Sequence, residues 1–185
     1  AYWAVSPHYT ETLEADLEAL SERWEFVGVK LHPGMHNYAL EGDKYRPVFA
    51  WAEATGRPVL SHTWGNNPVC GPDNVRRVAE RHPAATLLMG HSCSGQFPEA
   101  IALAREFAGL FLELTGVPEY SGLIERMVSE AGSEKVLFGT DLPWFDPHYG
   151  IACVLWSHGL TDEDRHNILH RNAERILGEV GVSLS

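Results

Sequence analysis

Short apolar runs alternate with stretches of helical periodicity along the whole chain. The strand-like runs are Tyr2–Val5, Phe26–His32, Pro58–His62, Thr86–His91, Leu110–Thr115 and Lys135–Asp141. Between them, Leu13, Leu17, Leu20 and Trp24 fall at i, i+4, i+7 and i+11, one face of a helix. Tyr45, Val48, Phe49 and Ala52 repeat that pattern before Gly56, a helix-ending glycine. Val75, Val78 and Ala79 form a shorter helix stopped by Pro83, and Ile101, Ala104 and Ala108 mark the next. Leu123, Met127, Val128 and Ala131 give another, closed by Gly132. The last helix opens at Thr161 with Asp164 three residues on, a capping-box variant, and carries Ile168, Leu169, Ile176 and Leu177 on to Gly178.

Strand–helix alternation with near-continuous apolar strands predicts parallel pairing under a cover of helices. Right-handed crossovers leave a doubly wound sheet or a (β/α) barrel. From the second strand on, each run ends in a polar or ionisable residue: His32, His62, His91, Thr115 and Asp141, at intervals of 30, 29, 24 and 26 residues. Functional groups at the C-terminal ends of successive strands are the mark of a barrel. A doubly wound nucleotide fold would show a glycine-rich phosphate loop, and neither GxGxxG nor GxxxxGK[ST] occurs. The expectation is therefore an α/β chain forming an incomplete TIM-type (β/α) barrel as one domain over residues 1–185. A full barrel takes about 250 residues, so six units leave two unaccounted for. Because the closing C-terminal helix reads as complete, the expectation places the two absent strands before Ala1, making the six runs strands three to eight of eight.

The chain has 185 residues, with 44% hydrophobic side chains and a formal net charge of −11. That apolar content supports a core, and the acidity disfavours a nucleic-acid phosphate backbone as partner. No apolar run reaches the ~18–20 residues of a membrane-spanning helix. Three cysteines, Cys70, Cys93 and Cys153, form no CxxC pair and read as reduced thiols, which places the protein in the cytoplasm. Cys93 lacks a base at nucleophile spacing. An open arc of strands exposes two sheet edges, so a homo-oligomer is expected.

Alternation makes Lys30 and His32, Leu60 and His62, Met89 and His91, Glu113 and Thr115, and Gly139 and Asp141 same-face pairs. If the terminal members point inward, three imidazoles and a carboxylate converge on one mouth, a donor set that suits Zn²⁺ or a similar divalent ion. Lys30 reads either as a buried lysine paired with Glu113, or as a site lysine or, when carbamylated, a metal bridge. Each strand-end histidine taken alone reads equally as a hydrogen-bonded loop residue, and Asp141 as a cap. His82, His158, His166 and His170 read as surface residues.

The runs Gly28-Val-Lys-Leu-His-Pro33, Pro58-Val-Leu-Ser-His62, Gly90-His91-Ser92 and Val136-Leu-Phe-Gly-Thr-Asp-Leu-Pro143 resemble those of the amidohydrolase superfamily. The branch is the one that includes aminocarboxymuconate-semialdehyde decarboxylase, and Asn172-Ala173 through Leu177 resembles its closing helix. The resemblance implies His62 as a metal ligand, and Asp141 as a ligand that also accepts a proton from metal-bound water. It implies His91 as a catalytic histidine or second-metal ligand, and Lys30 and His32 as residues lining the pocket. The family's first-strand His-x-His pair has no counterpart here; His8 follows the wrong strand and has no partner two residues on.

The expected activity is metal-dependent hydrolysis, or non-oxidative decarboxylation, of a small cyclic or aromatic substrate. Met35, His36, Tyr38, Trp64, Trp144 and His148 are loop residues flanking the pocket, of which Trp64 and Trp144 are taken as substrate-binding. With part of the ligand set unmatched, zinc is expected to be weakly held or absent and this chain inactive by itself. The alternative is a non-catalytic barrel remnant serving as a binding or assembly module.

Overall fold

The structure, a computed structural model, describes residues 1–117 and 120–181. Its elements follow in chain order: β1 Tyr2–Ala4, α1 Leu13–Ser21, β2 Gly28–Leu31, α2 Pro33–His36, α3 Arg46–Thr55, β3 Val59–Trp64, α4 Pro72–Arg81, β4 Leu87–Ser94 and α5 Phe97–Glu106. Then come β5 Leu110–Glu113, α6 Leu123–Ala131, β6 Val136–Leu137, α7 Pro147–Trp156, α8 Asp162–His166 and α9 Asn172–Glu179. All six strands pair in parallel in sequence order, β1 to β6, forming an arc of a (β/α) barrel whose edges are β1 and β6. No helix among the described residues is long and apolar enough to cross a membrane.

The alternation of each strand divides its side chains between two apolar layers. Val29, Leu31, Val59, Leu87, Met89, Leu110, Leu112 and Val136 face outward and pack beneath the helices, against Leu17, Phe49, Val75, Ile101 and Met127 among others. Leu60, Leu88, Phe111 and Leu137 face the concave side with Tyr2, and there they meet Ala173 and Ile176 of α9.

Local chemistry sets the helix limits. Gly56 ends α3 at φ 72° and its N–H returns to the Ala52 carbonyl. Thr161 and Asp164 form the expected capping box: the Asp164 N–H donates to Thr161 Oγ1 at 3.1 Å, and the Thr161 N–H donates to Asp164 Oδ2 at 2.8 Å. The helix they start is not uniform. A π-helical turn at Asn167–Arg171 joins α8 to α9, so that Ile168 lies in the outer layer and Ile176 in the inner one. Asn172, 3% exposed at the start of α9, donates through Nδ2 to the Ser133 and Val136 carbonyls, each at 2.8 Å, and anchors α9 to the foot of β6.

All six strands differ in their bounds from the predicted runs, and two of them for a visible reason. The sixth was expected over Lys135–Asp141 but pairs only at Val136–Leu137, because the Phe138 N–H turns to the Ile168 carbonyl at 3.0 Å instead of the ladder. The second stops at Leu31, since His32 becomes the N-cap of α2.

Arg57 ties the α1 end to the α3–β3 turn, donating to the carbonyls of Leu20 at 2.7 Å, Phe26 at 3.1 Å and Ser21 at 2.8 Å. Truncating a charged donor leaves these acceptors unpaired. Arg57→Met, which keeps the stem, is expected to cost about 2–3 kcal/mol, read as a lower denaturant midpoint at unchanged slope. A midpoint equal to wild type would mean that solvent replaces the guanidinium fully.

Candidate active site

A cavity of about 390 Å³ occupies the concave face of the arc. Leu60, Leu88, Leu137 and Phe138 supply apolar wall, while Lys30, His91, Glu113 and Asp141 supply its ionisable groups. Three of those four come from strands or their immediate ends, and Asp141 stands four residues past β6.

Simple alternation does not bring His91 there, since it would share the outward face of Met89. The backbone instead runs through three consecutive left-handed residues, His91 (φ 67°), Ser92 (φ 49°) and Cys93 (φ 52°), opposite a bulge between His62 and Trp64. Such conformations cost non-glycine residues about 1–3 kcal/mol each and persist only where surroundings impose them. Here each residue is tied. The His91 N–H donates to Glu113 Oε2 at 3.2 Å, Ser92 Oγ donates to the Glu113 carbonyl at 2.9 Å, and the Cys93 N–H donates to Thr63 Oγ1 at 2.9 Å. Asp141 is also left-handed, at φ 52°.

The histidines gather as expected of strand ends. His62 is stacked between the rings of His32, centroids 4.1 Å apart, and Trp64, at 5.8 Å, and meets His91 edge-on at 4.7 Å. Hydrogen bonds assign the neutral tautomers. His91 Nδ1 lies 3.1 Å from the Thr115 carbonyl, an acceptor only, so Nδ1 carries the proton and Nε2 keeps a lone pair. His32 Nδ1 accepts from the Met35 N–H at 3.2 Å, so its proton sits on Nε2. Desolvation, then the neighbouring His32, His91 and Lys30, push His62 down to about 3. Desolvation also lowers His32 and His91.

This has a consequence for acid stability. Between pH 6.5 and about 3 an unfolded chain protonates His62 while the folded one does not. The unfolded state then binds more protons, so stability falls as pH drops through that window. Denaturant midpoints from pH 7 to 4 are expected to fall less steeply in His62→Gln than in wild type; parallel curves would overturn the assignment.

Lys30 reaches the cavity without a protein hydrogen bond or ion pair among the described residues, and burial lowers its pKa while Glu113 and Asp141 draw it back. The direct Lys30–Glu113 pair, one of the two readings of this lysine, does not form. Glu113 is 8% exposed and instead accepts from Thr115 Oγ1 at 2.5 Å and from the N–H groups of Thr115 and His91, each at 3.2 Å. Burial pushes its carboxyl above the usual carboxylate range. Tyr2, opposite, is raised to about 12 by burial and then by the Glu113 charge.

Of the flanking loop residues, Trp64 contacts the histidines, at 5.6 Å from His91. Trp144 is 81% exposed, and its backbone N–H closes a turn onto the Asp141 carbonyl at 2.8 Å. Met35 is 79% exposed, and the His148 side chain projects into solvent, bonded to Asp146 at 2.9 Å. His36 turns aside to the Tyr45 hydroxyl. His82 is not a surface residue: its side chain is 12% exposed, stacked on Phe49 and bonded to Glu53 at 3.0 Å. Cys70, Cys93 and Cys153 are free thiols, and burial pushes Cys93 up to about 12, against a nucleophilic role. Thr115 and Tyr2 were missed as cavity residues; same-face spacing from Glu113 was the signal available for Thr115.

The donor types match what a divalent ion takes, but their placement does not complete a site. Among the described residues no three His, Cys, Asp or Glu groups are arranged to hold a metal ion.

The sequence model described as "Amidohydrolase" matches residues 2–178. No curated protein matches. Among solved structures, an uncharacterized TIM-barrel protein from Bordetella bronchiseptica superposes with a TM-score of 0.80 at 22% identity, over 98% of this chain and 66% of that one. A 5-carboxyvanillate decarboxylase from Sphingomonas paucimobilis gives 0.75 at 13%, over 96% and 66%. A dihydroxybenzoic acid decarboxylase from Polaromonas sp. JS666, with bound manganese and the inhibitor 2-nitroresorcinol, gives 0.69 at 14%, over 96% and 67%. The chain thus spans about two thirds of the length of these proteins, and at such identities the likeness is one of fold.

Proposed function

The chain belongs to the amidohydrolase family, and on that premise we propose that it serves a metal-dependent hydrolase or non-oxidative decarboxylase acting on a small aromatic carboxylate. The observation that carries this reading is the unpaired Lys30 ammonium in a largely apolar cavity shared with His91 and Asp141. The leucine walls take the ring, and Lys30 takes the carboxylate by a charge-assisted bond. His91 Nε2, with its lone pair free, accepts a substrate hydroxyl. His91, His62 and Asp141 are the residues that would hold a divalent ion, zinc or manganese, once brought closer together than the described residues place them. In decarboxylation the ring–carboxyl bond would break with its electron pair kept by the ring carbon, and carbon dioxide would leave. His91 Nε2, having first taken the proton of the substrate hydroxyl, would pass that proton to the ring carbon, solvent returning one to the phenolate. In hydrolysis of an ester or amide on such a ring, His91 Nε2 would take a proton from the attacking water and return it to the departing alcohol or amine as the acyl bond breaks.

Calorimetric titration with 2,6-dihydroxybenzoate and with resorcinol, which lacks the carboxylate, tests this. Wild type is expected to prefer the carboxylate, and Lys30→Met to lose roughly 10–100-fold in affinity for it while resorcinol is unaffected. Equal binding of both ligands by both proteins would overturn the role of Lys30. The second reading, a non-catalytic binding module, draws support from the incomplete donor set and the two open sheet edges. It is favoured if carboxylate binding occurs but added Mn²⁺ or Zn²⁺ never yields turnover in any longer form of the protein. Self-association through those edges and a cytoplasmic location belong to the proposal.

A further inference from the structure

We propose a metal-binding site on the outer surface, a two-imidazole chelate of His166 and His170 for a first-row divalent transition ion. It shares no residue with the cavity.

The two side chains project from successive turns of the C-terminal helical segment, His166 closing α8 and His170 within the π-helical turn. His166 Nδ1 and His170 Nε2 lie 3.0 Å apart. Two imidazole nitrogens bound at about 2.0–2.1 Å to one ion, at a right angle, are about 2.9 Å apart. The observed spacing is therefore that of a cis chelate. One proton now bridges the pair. His170 Nδ1 lies 2.8 Å from Glu174 Oε1, and a carboxylate only accepts, so His170 carries its proton on Nδ1 and presents a bare Nε2. His166 Nδ1–H is then the donor in the bridge.

A metal ion replaces that bridging proton when His166 shifts its proton to Nε2, which leaves both facing nitrogens as lone-pair ligands and releases no proton. A small rotation of the exposed rings turns the lone pairs onto a common point. Glu174 stays on the far side of His170 as the carboxylate that fixes ring orientation and raises ligand basicity, an arrangement typical of metal-bound histidine. Water completes the coordination. Two nitrogens at right-angle spacing favour Cu²⁺ and Ni²⁺ over Zn²⁺. The π-turn supplies a second sign, since such insertions are frequent at functional positions. His166 is exposed, the His170 and Glu174 side chains are 45% and 50% exposed, and nothing among the described residues covers the pair.

The test is titration of the whole chain with CuCl₂ and NiCl₂ by calorimetry, with residue-resolved NMR of the ten histidines. Wild type is expected to take up one surface equivalent, with Cu²⁺ broadening the His166 and His170 resonances together, and with a metal-dependent rise in melting temperature. The His166→Gln/His170→Gln double variant is expected to lose that equivalent and that rise. Glu174→Gln, which touches no metal, is expected to weaken it by about 10–100-fold. His62→Gln is expected to retain it. An unchanged stoichiometry in the double variant, or broadening confined to His32, His62 and His91, would overturn the proposal.

Discussion

Gly139→Ala is expected to destabilise the protein by about 3–5 kcal/mol. The position lies one residue beyond Phe138, where the chain leaves β6, and a methyl group there would overlap Glu113 Oε1 outright and come within 2.9 Å of Thr115 Oγ1. Glu113 cannot simply move aside. Its carboxyl is held by Thr115 and by the His91 N–H, and that last bond is one of those that tie the left-handed His91–Cys93 turn. Displacing the carboxyl combines overpacking, about 1–3 kcal/mol, with donors left unsatisfied, about 1–3 kcal/mol. Domains of ordinary stability have about 5–15 kcal/mol in all, so the variant should unfold at much lower denaturant or accumulate insoluble. A double-mutant cycle isolates the cause. In a Glu113→Ala background, which vacates the space, Gly139→Ala should cost at least 1 kcal/mol less, about the lower range of coupling between touching residues. Additive costs would show that the carboxyl is not what the methyl meets.

The metal experiment has the other large effect. A catalytic zinc normally takes three protein ligands and a water, and among the described residues no three donors are so placed. After dialysis against metal-free buffer, residues 1–185 are expected to retain well under one equivalent of zinc or manganese, with hydrolysis and decarboxylation at background. The measurement belongs on the His166→Gln/His170→Gln background, so that the surface chelate does not contribute. One equivalent held through dialysis would mean that the cavity donors do close around an ion. Asp141→Asn would then report whether the carboxylate is among them. That substitution is the cleanest available, since asparagine tolerates the left-handed φ of 52° at this position and only the charge is removed.

Much of this architecture was legible from one-dimensional periods. Leu13, Leu17 and Leu20 are buried in α1 as their spacing required, whereas Trp24, assigned to the same face, lies beyond the end of α1 and is 84% exposed. The strand-end ladder of His32, His62, His91, Thr115 and Asp141 marked one end of the parallel arc. The capping pair Thr161–Asp164 was readable because both partners lie within one turn. Local residues compete only with their neighbours in such features, so residue type and spacing decide them. His82 was misread because its burial depends on Phe49 and Glu53, about thirty residues away, and nothing in the spacing of α4 encodes them.

Residue types and their regular recurrence by themselves determined the class of fold, the direction of the strands and the end of the sheet that carries ionisable groups. Only the tertiary structure decided which of those groups share a cavity. Alternation assigns His91 to the face of Met89, yet three hydrogen bonds from β3 and β5 hold its backbone left-handed and turn it inward. Lys30 and Glu113 oppose each other in charge and face, yet Thr115 and His91 saturate the carboxyl and leave the lysine unpaired. Each outcome is a competition between partners distant in sequence, settled by distances of a few tenths of an ångström that the folded arrangement alone specifies.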